Sequence, residues 1–316
     1  MDRTAIACPA AAVAVAAAMV GAAGLLGEPE VIFPEVMALA AGALAAPRLA
    51  WRTSPARMVA LIAACSTAGV LVVRAVPAPA WVQAVIAYAL CQVALPFTGT
   101  TFAPMVSAAV LPVILGTTSW VYPAAAVALT TLVAGARRAL ERLGLRDAEP
   151  FSPLPSPVPA KAPAVALRTV LGGAWLAGCV AAGMPFCAAP PLLVAFTELS
   201  RPGCPARSKP WKTVLLVGLC AAAGAASRLA LCVALGLPLV AAAAAAAAAS
   251  LALMRAFGRY LPPAGAMAIL PMIVPAQALP LFPVQALVGI AVLALCSAAC
   301  FPAPAAEADP AAEEAL

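Results

Sequence analysis

The chain has 316 residues, of which 65% are hydrophobic and only 9% charged, with a mean hydropathy of +1.04 and a formal net charge of +6. A soluble domain carries about 25% charged residues, so this composition excludes a water-facing surface over most of the molecule. The apolar stretches are long and show no period-2 alternation. They exclude a β-barrel and predict an all-α, polytopic transmembrane helical bundle.

The first apolar run, residues 5–26, follows only Asp2, Arg3 and Thr4. It lacks a small-residue cleavage site ahead of the next segment, so it is read as a first membrane helix rather than a signal peptide. Further apolar segments follow at 34–46, 57–75, 81–96, 103–117 and 121–138, then at 168–186, 190–200, 212–235, 238–257, 263–275 and 283–301. The second and fifth of each set of six are short. A straight span takes about 20 residues, so these four segments are expected to be short or broken helices. The run of pure alanine at 241–249 favours helix and close helix approach.

Sliding the chain against itself at an offset near 155 aligns Pro47 with Pro202, Arg57 with Lys212 and Gly69 with Gly224. At 159 the offset aligns Pro104 with Pro263 and Leu111-Pro112 with Leu270-Pro271. The common order of these matches predicts two tandem, parallel repeats of six segments each. The expected organisation is repeat 1 at 1–140, a Pro-rich linker at 141–167, repeat 2 at 168–303 and an acidic tail at 304–316. If all twelve segments cross, one side of the membrane collects all of the 18 basic residues but two, Arg74 and Arg228. By the positive-inside rule that side is the cytoplasm of an inner membrane, and both termini and the linker lie there.

Candidate pathway residues come from the short segments. Proline and glycine release backbone groups that hydrocarbon cannot satisfy, so such backbone must be buried in protein or line a hydrated cavity. "PFTGTT" at 96–101 brings the hydroxyls of Thr98, Thr100 and Thr101 to the start of one short segment, just before Pro104. "LPPAGA" brings Pro262, Pro263 and Gly265 to the start of another. Both place small residues and free N–H groups at a helix N-terminus, which suits an anion or a dipole; tight helix packing is the competing reading. Arg74 and Arg228 either snorkel to the outer headgroups or face a vestibule and attract an anionic solute.

The stretch "LPPAGAMAIL" at 261–270 resembles the His-Pro-Pro-Ala-Gly-Ala segment of the HPP family of integral membrane proteins, with Leu261 in place of the histidine. "PPLLVAFTELSRPGCPARSKPWKTVLLVGL" at 190–219 is similar to that family's small-residue helix, basic loop and long helix. In the first half Phe102-Ala103-Pro104 keeps one proline of the motif. Some plant and cyanobacterial relatives are associated with nitrite transport, so the resemblance implies a transporter or channel for a small solute, with a small anion such as nitrite in view. No role of the family's histidine carries over.

There is no histidine and no GxSxG, and no enzyme constellation presents itself. No cofactor is expected, and the ten cysteines read as small packing residues. Glu198, three residues before Arg201, reads as one half of an interfacial ion pair, with proton coupling as the alternative. Glu35, after Phe33-Pro34, reads as a helix cap, again with coupling as the alternative. Trp51, Trp120 and Trp211 read as interface anchors. The expected partners are the lipid bilayer and a small solute, without nucleic acid; homo-oligomers stay open, as does a non-transporting scaffold.

Overall fold

The computed structural model describes residues 3–155, 162–201 and 204–301; the centre of the linker and the acidic tail lie outside them. Among the described residues all regular structure is helical. Six α-helices lie before residue 156: α1 (Arg3–Leu26), α2 (Glu35–Ala40, continued by a π turn at Ala41–Ala45), α3 (Pro55–Ala75), α4 (Ala80–Ala94), α5 (Met105–Leu115) and α6 (Val121–Arg142). Six follow residue 161: α7 (Ala162–Ala181), α8 (Pro190–Leu199), α9 (Pro210–Ser227, continued by a π turn at Arg228–Ala234), α10 (Leu239–Ala256), α11 (Pro262–Ile269) and α12 (Phe282–Cys300). The helix starts follow local chemistry. Pro190, Pro210 and Pro262 each sit in a first turn, where the missing N–H costs nothing. Ser54 caps α3 by accepting from the Arg57 N–H at 3.3 Å.

Among the described residues seven helices are long and apolar enough to cross a membrane, and only 28–39% of each apolar window is buried inside the bundle, which leaves the rest to face lipid. The short helices are the reverse. Every residue of α2, α8 and α11 is buried, as are Met105–Val113 of α5. The long helices thus form a shell around an inner core of short ones. The multi-pass, all-helical class expected from composition is what the chain adopts.

Two hydrogen bonds mark the ends of this core. Arg57, at the start of α3, donates to the Thr98 carbonyl ahead of α5 at 2.6 Å. Arg74, in the last turn of α3, donates to the Thr118 carbonyl beyond α5 at 3.0 Å. The 17 residues from Arg57 to Arg74 rise about 26 Å as helix. The segment from Thr98 to Thr118 bridges the same two levels with an 11-residue helix and non-helical ends. We call the Arg57 end the basic face, because Arg52, Arg146, Arg201 and Arg259 bond backbone carbonyls there.

Helices from the two halves interlock. α1 lies along α10 and α4 along α7, while inside the shell α2 packs on α11 and α5 on α8. The close approach of α3 to α5 and of α9 to α11 rests on a glycine in each pair. A methyl group on Gly69 would collide with the Ala109 carbonyl of α5, and one on Gly224 with the Ala268 carbonyl of α11. No other residue allows α3 or α9 to come so near its short neighbour.

The linker does not leave the bundle at residue 141. After α6 the chain crosses the basic face, where Arg146 donates to the Leu44 and Ala46 carbonyls at the end of α2, at 2.9 and 2.7 Å. The Leu49 N–H donates to Glu149 at 2.9 Å and the Leu154 N–H to the Gly99 carbonyl at 2.8 Å. Orphan carbonyls at a helix end need donors, and this strap supplies them. Helix α7 also starts at Ala162, inside the stretch read as linker.

Candidate functional site

The three predicted threonines meet at the foot of α5, but their hydroxyls are engaged locally. Thr98 Oγ1 donates to the Leu95 carbonyl at 2.8 Å and lies 2.9 Å from Thr100 Oγ1. Thr100 Oγ1 accepts from the Phe102 N–H, and Thr101 Oγ1 accepts from the Arg52 N–H at 2.9 Å. At Thr98 and Thr100 these are the side-chain turns by which Ser and Thr stand in for missing backbone partners, while Thr101 ties the segment to the loop before α3. Pro104 is the buried N-cap residue of α5.

The second predicted cluster has fewer donors than its sequence suggests. Pro262 and Pro263 fill the first two positions of α11 and carry no N–H, while the Ala264 N–H is bonded to the Leu261 carbonyl at 3.0 Å. Gly265 instead serves contact between the halves: a methyl there would press on Met37 of α2, at 3.3 Å from both its Cγ and its carbonyl oxygen. Arg74 and Arg228 lie at the other end of the core. Arg228 donates to the carbonyls of Pro271 and Val274 beyond α11. Arg74 combines its Thr118 bond with a stacking contact, 5.3 Å from the Trp120 ring centre. Both guanidinium groups therefore satisfy the broken ends of a fifth-segment helix.

The most developed polar network was not legible as such. Trp51, expected at the membrane interface, is 2% exposed, and its Nε1 donates to Glu198 at 2.7 Å. Its ring lies over Gly42 of the α2 π turn and meets Phe102 edge-on at 5.4 Å. Glu198 closes no salt bridge with Arg201, which lies near enough to act on its carboxyl group but donates to the Thr101 carbonyl at 3.0 Å. Arg168, placed by the sequence at the cytoplasmic start of the seventh segment, lies buried in α7 and donates through Nε to Gln92 at 2.6 Å. Gln92 in turn donates to Thr197 at 2.7 Å, and Tyr88 donates to the Arg168 carbonyl at 3.2 Å. The named side-chain partners of Arg168, Gln92 and Ser200, are neutral. Trp120 and Trp211 are 50% and 61% exposed, as anchors require.

Glu35 opens α2 but makes no capping bond. The side chain is fully buried, and neither carboxyl oxygen has a hydrogen-bond partner. The expected cap is absent because the carboxyl group turns toward Ser107 of α5 rather than back onto its own helix end.

A shell of apolar spanning helices around short buried ones defines a multi-pass helical membrane protein. Comparison with protein-family models, with curated proteins and with solved structures found no match.

Proposed function

We propose that the chain is a transporter or channel for a small solute, built from two tandem parallel repeats and akin to the HPP family, with a small anion such as nitrite as its cargo. The observation that carries this reading is the core of four short helices. Breaking a helix inside hydrocarbon exposes N–H and C=O groups at a cost of several kcal/mol each. Here the breaks are held by dedicated side chains, Arg57, Arg74, Arg146 and Arg228. A structural bundle gains nothing from such an arrangement, whereas transporters use half-helices to present backbone groups to cargo at mid-membrane. The repeat reading is supported by the paired contacts of Gly69 and Gly224 and by arginines capping the far ends of α5 and α11. A cavity of about 340 Å³ on the basic face is lined by Arg146 and Arg255 against the single acid Asp147, a balance that favours an anion. Under this reading the basic face is cytoplasmic.

The test is uptake by purified protein in proteoliposomes, with nitrite first among small anions. Uptake above that of empty vesicles is expected, and saturation with concentration separates a carrier from a leak. A scaffold without transport is the second reading. The close packing at Gly69, Gly224 and Gly265 is the observation on its side.

A further inference from the structure

Glu35 is the one buried acid whose carboxyl oxygens both lack a partner among the described residues. Its depth follows from its neighbour. Ser107, beside it, lies on α5 between the Thr98 and Thr118 carbonyls that Arg57 and Arg74 hold at the two ends of the core. Ser107 Oγ is buried and also without a partner, so the two groups face each other without closing a hydrogen bond. Two edge-on aromatic pairs lie in the same buried core. Phe33 meets Tyr122 edge-on at 5.9 Å, with the Tyr122 hydroxyl on the Ala108 carbonyl at 3.1 Å, and Trp51 meets Phe102 at 5.4 Å.

An ionised carboxylate held there with no counter-charge and no closed hydrogen bond is far costlier than a neutral acid. The groups facing it are Tyr122 from α6 and Glu198 from α8, neither of them cationic. The charged residues of α6, from Arg137 onward, lie at the opposite end of that helix from Tyr122. Helices α5 and α11 contain no ionisable residue, and α1 carries Arg3 and Cys8 only at its far end. A hard metal cation takes about six or more oxygen ligands, and Glu35 with Ser107 supplies three. The occupant that fits is a proton.

We propose that Glu35 is a proton-carrying site, with Ser107 as its hydrogen-bonding partner, and that the protein couples solute movement to a proton. In the structure Glu35 is fully buried. A proton enters from one aqueous face to give the carboxylic acid, and it leaves to the other when the short helices part and water reaches the carboxylate. The coupling half rests on the transport reading above; the site half does not.

The experiment has two arms, both on the full chain in proteoliposomes. A lipophilic carbodiimide reacts with protonated carboxyl groups in apolar surroundings, and mass spectrometry locates the adduct. We expect an adduct on Glu35 that forms more slowly as pH rises, is absent in Glu35→Gln and is retained in Glu35→Asp. No adduct at any pH, or one whose rate ignores pH, overturns the site. The second arm follows nitrite uptake with a pH-sensitive dye in the lumen. A lumenal pH change tied to nitrite, reduced in Glu35→Gln to the level of empty vesicles, supports coupling. Nitrite uptake without such a change overturns it while leaving transport standing. If no nitrite moves, the transport reading and its coupling fail together, and the carbodiimide arm alone decides whether Glu35 is a proton site.

Discussion

A tryptophan nitrogen offers a single donor, and at Trp51 that donor ends on a carboxylate buried between helices. Hydrogen bonds to charged groups contribute about 1.5–3 kcal/mol, and removing one partner leaves the other to bear its desolvation cost. Trp51→Phe should therefore lower thermal stability in detergent by about that amount, while Glu198→Gln, which keeps an acceptor, should cost less. A Trp51→Phe protein that melts with the parent would remove the bond from the account of the fold. The arginines at the far end allow a sharper comparison. Arg228 holds two carbonyls where Arg74 holds one and a ring. Arg228→Gln is predicted to destabilise more, by about 1–3 kcal/mol. If either Gln variant keeps its stability yet takes up nitrite more slowly at low concentration, the guanidinium acts on the solute and not only on the backbone.

At the scale of elements, α3 with α5 and α9 with α11 are joined by a glycine that lets a backbone carbonyl lie against the neighbouring helix. Overpacking a close contact costs about 1–3 kcal/mol and moves the backbone. Gly69→Val and Gly224→Val should each fall at or above the top of that range, because the obstacle is a carbonyl that cannot rotate away. Similar losses at the two positions, read from melting in detergent, agree with equivalent roles in two repeats; a loss at one alone argues against equivalence. Gly265→Leu addresses the contact between halves. Its side chain would drive α11 from α2 at Met37, and a variant with parental melting and uptake would show that this crossing matters to neither packing nor pathway.

At the scale of the whole molecule, the long helices face lipid and the short ones face each other, so the buried polar groups gather at the two ends of the core, in the network of Arg168, Gln92 and Thr197, and at Glu35. The strap from Leu143 to Pro155 lies across the basic face, over the foot of α5. On a cysteine-free background, Ser152→Cys and Thr118→Cys should report opposite sides: both are exposed, one on the strap and the other beyond α5. An impermeant thiol reagent outside intact cells is expected to label Thr118→Cys and to spare Ser152→Cys. The reverse pattern would invert the orientation, and labelling of both would dismiss the assignment of faces.

Membership in the membrane class was decided by composition alone, because 9% charge leaves no way to cover a water-facing surface. Segment lengths likewise revealed that four helices are too short to span by themselves, since rise per residue is a local property. Pairing across the chain was not local, and there the sequence was silent. Trp51 and Glu198 are 147 residues apart, and Arg168 and Gln92 are 76 apart. Nothing in their own neighbourhoods distinguishes them from an interface anchor, an ion pair or an arginine at the cytoplasmic end of a segment. Arg201 sat at ion-pair spacing from Glu198, but its guanidinium went instead to the carbonyl of Thr101, which packing had brought within reach. Glu35 showed its proline and its place at a helix start in the sequence. That its carboxyl group would be shut among helices with no cation beside it and no closed hydrogen bond was decided by which helices packed around it, because burial and the absence of partners are properties of packing.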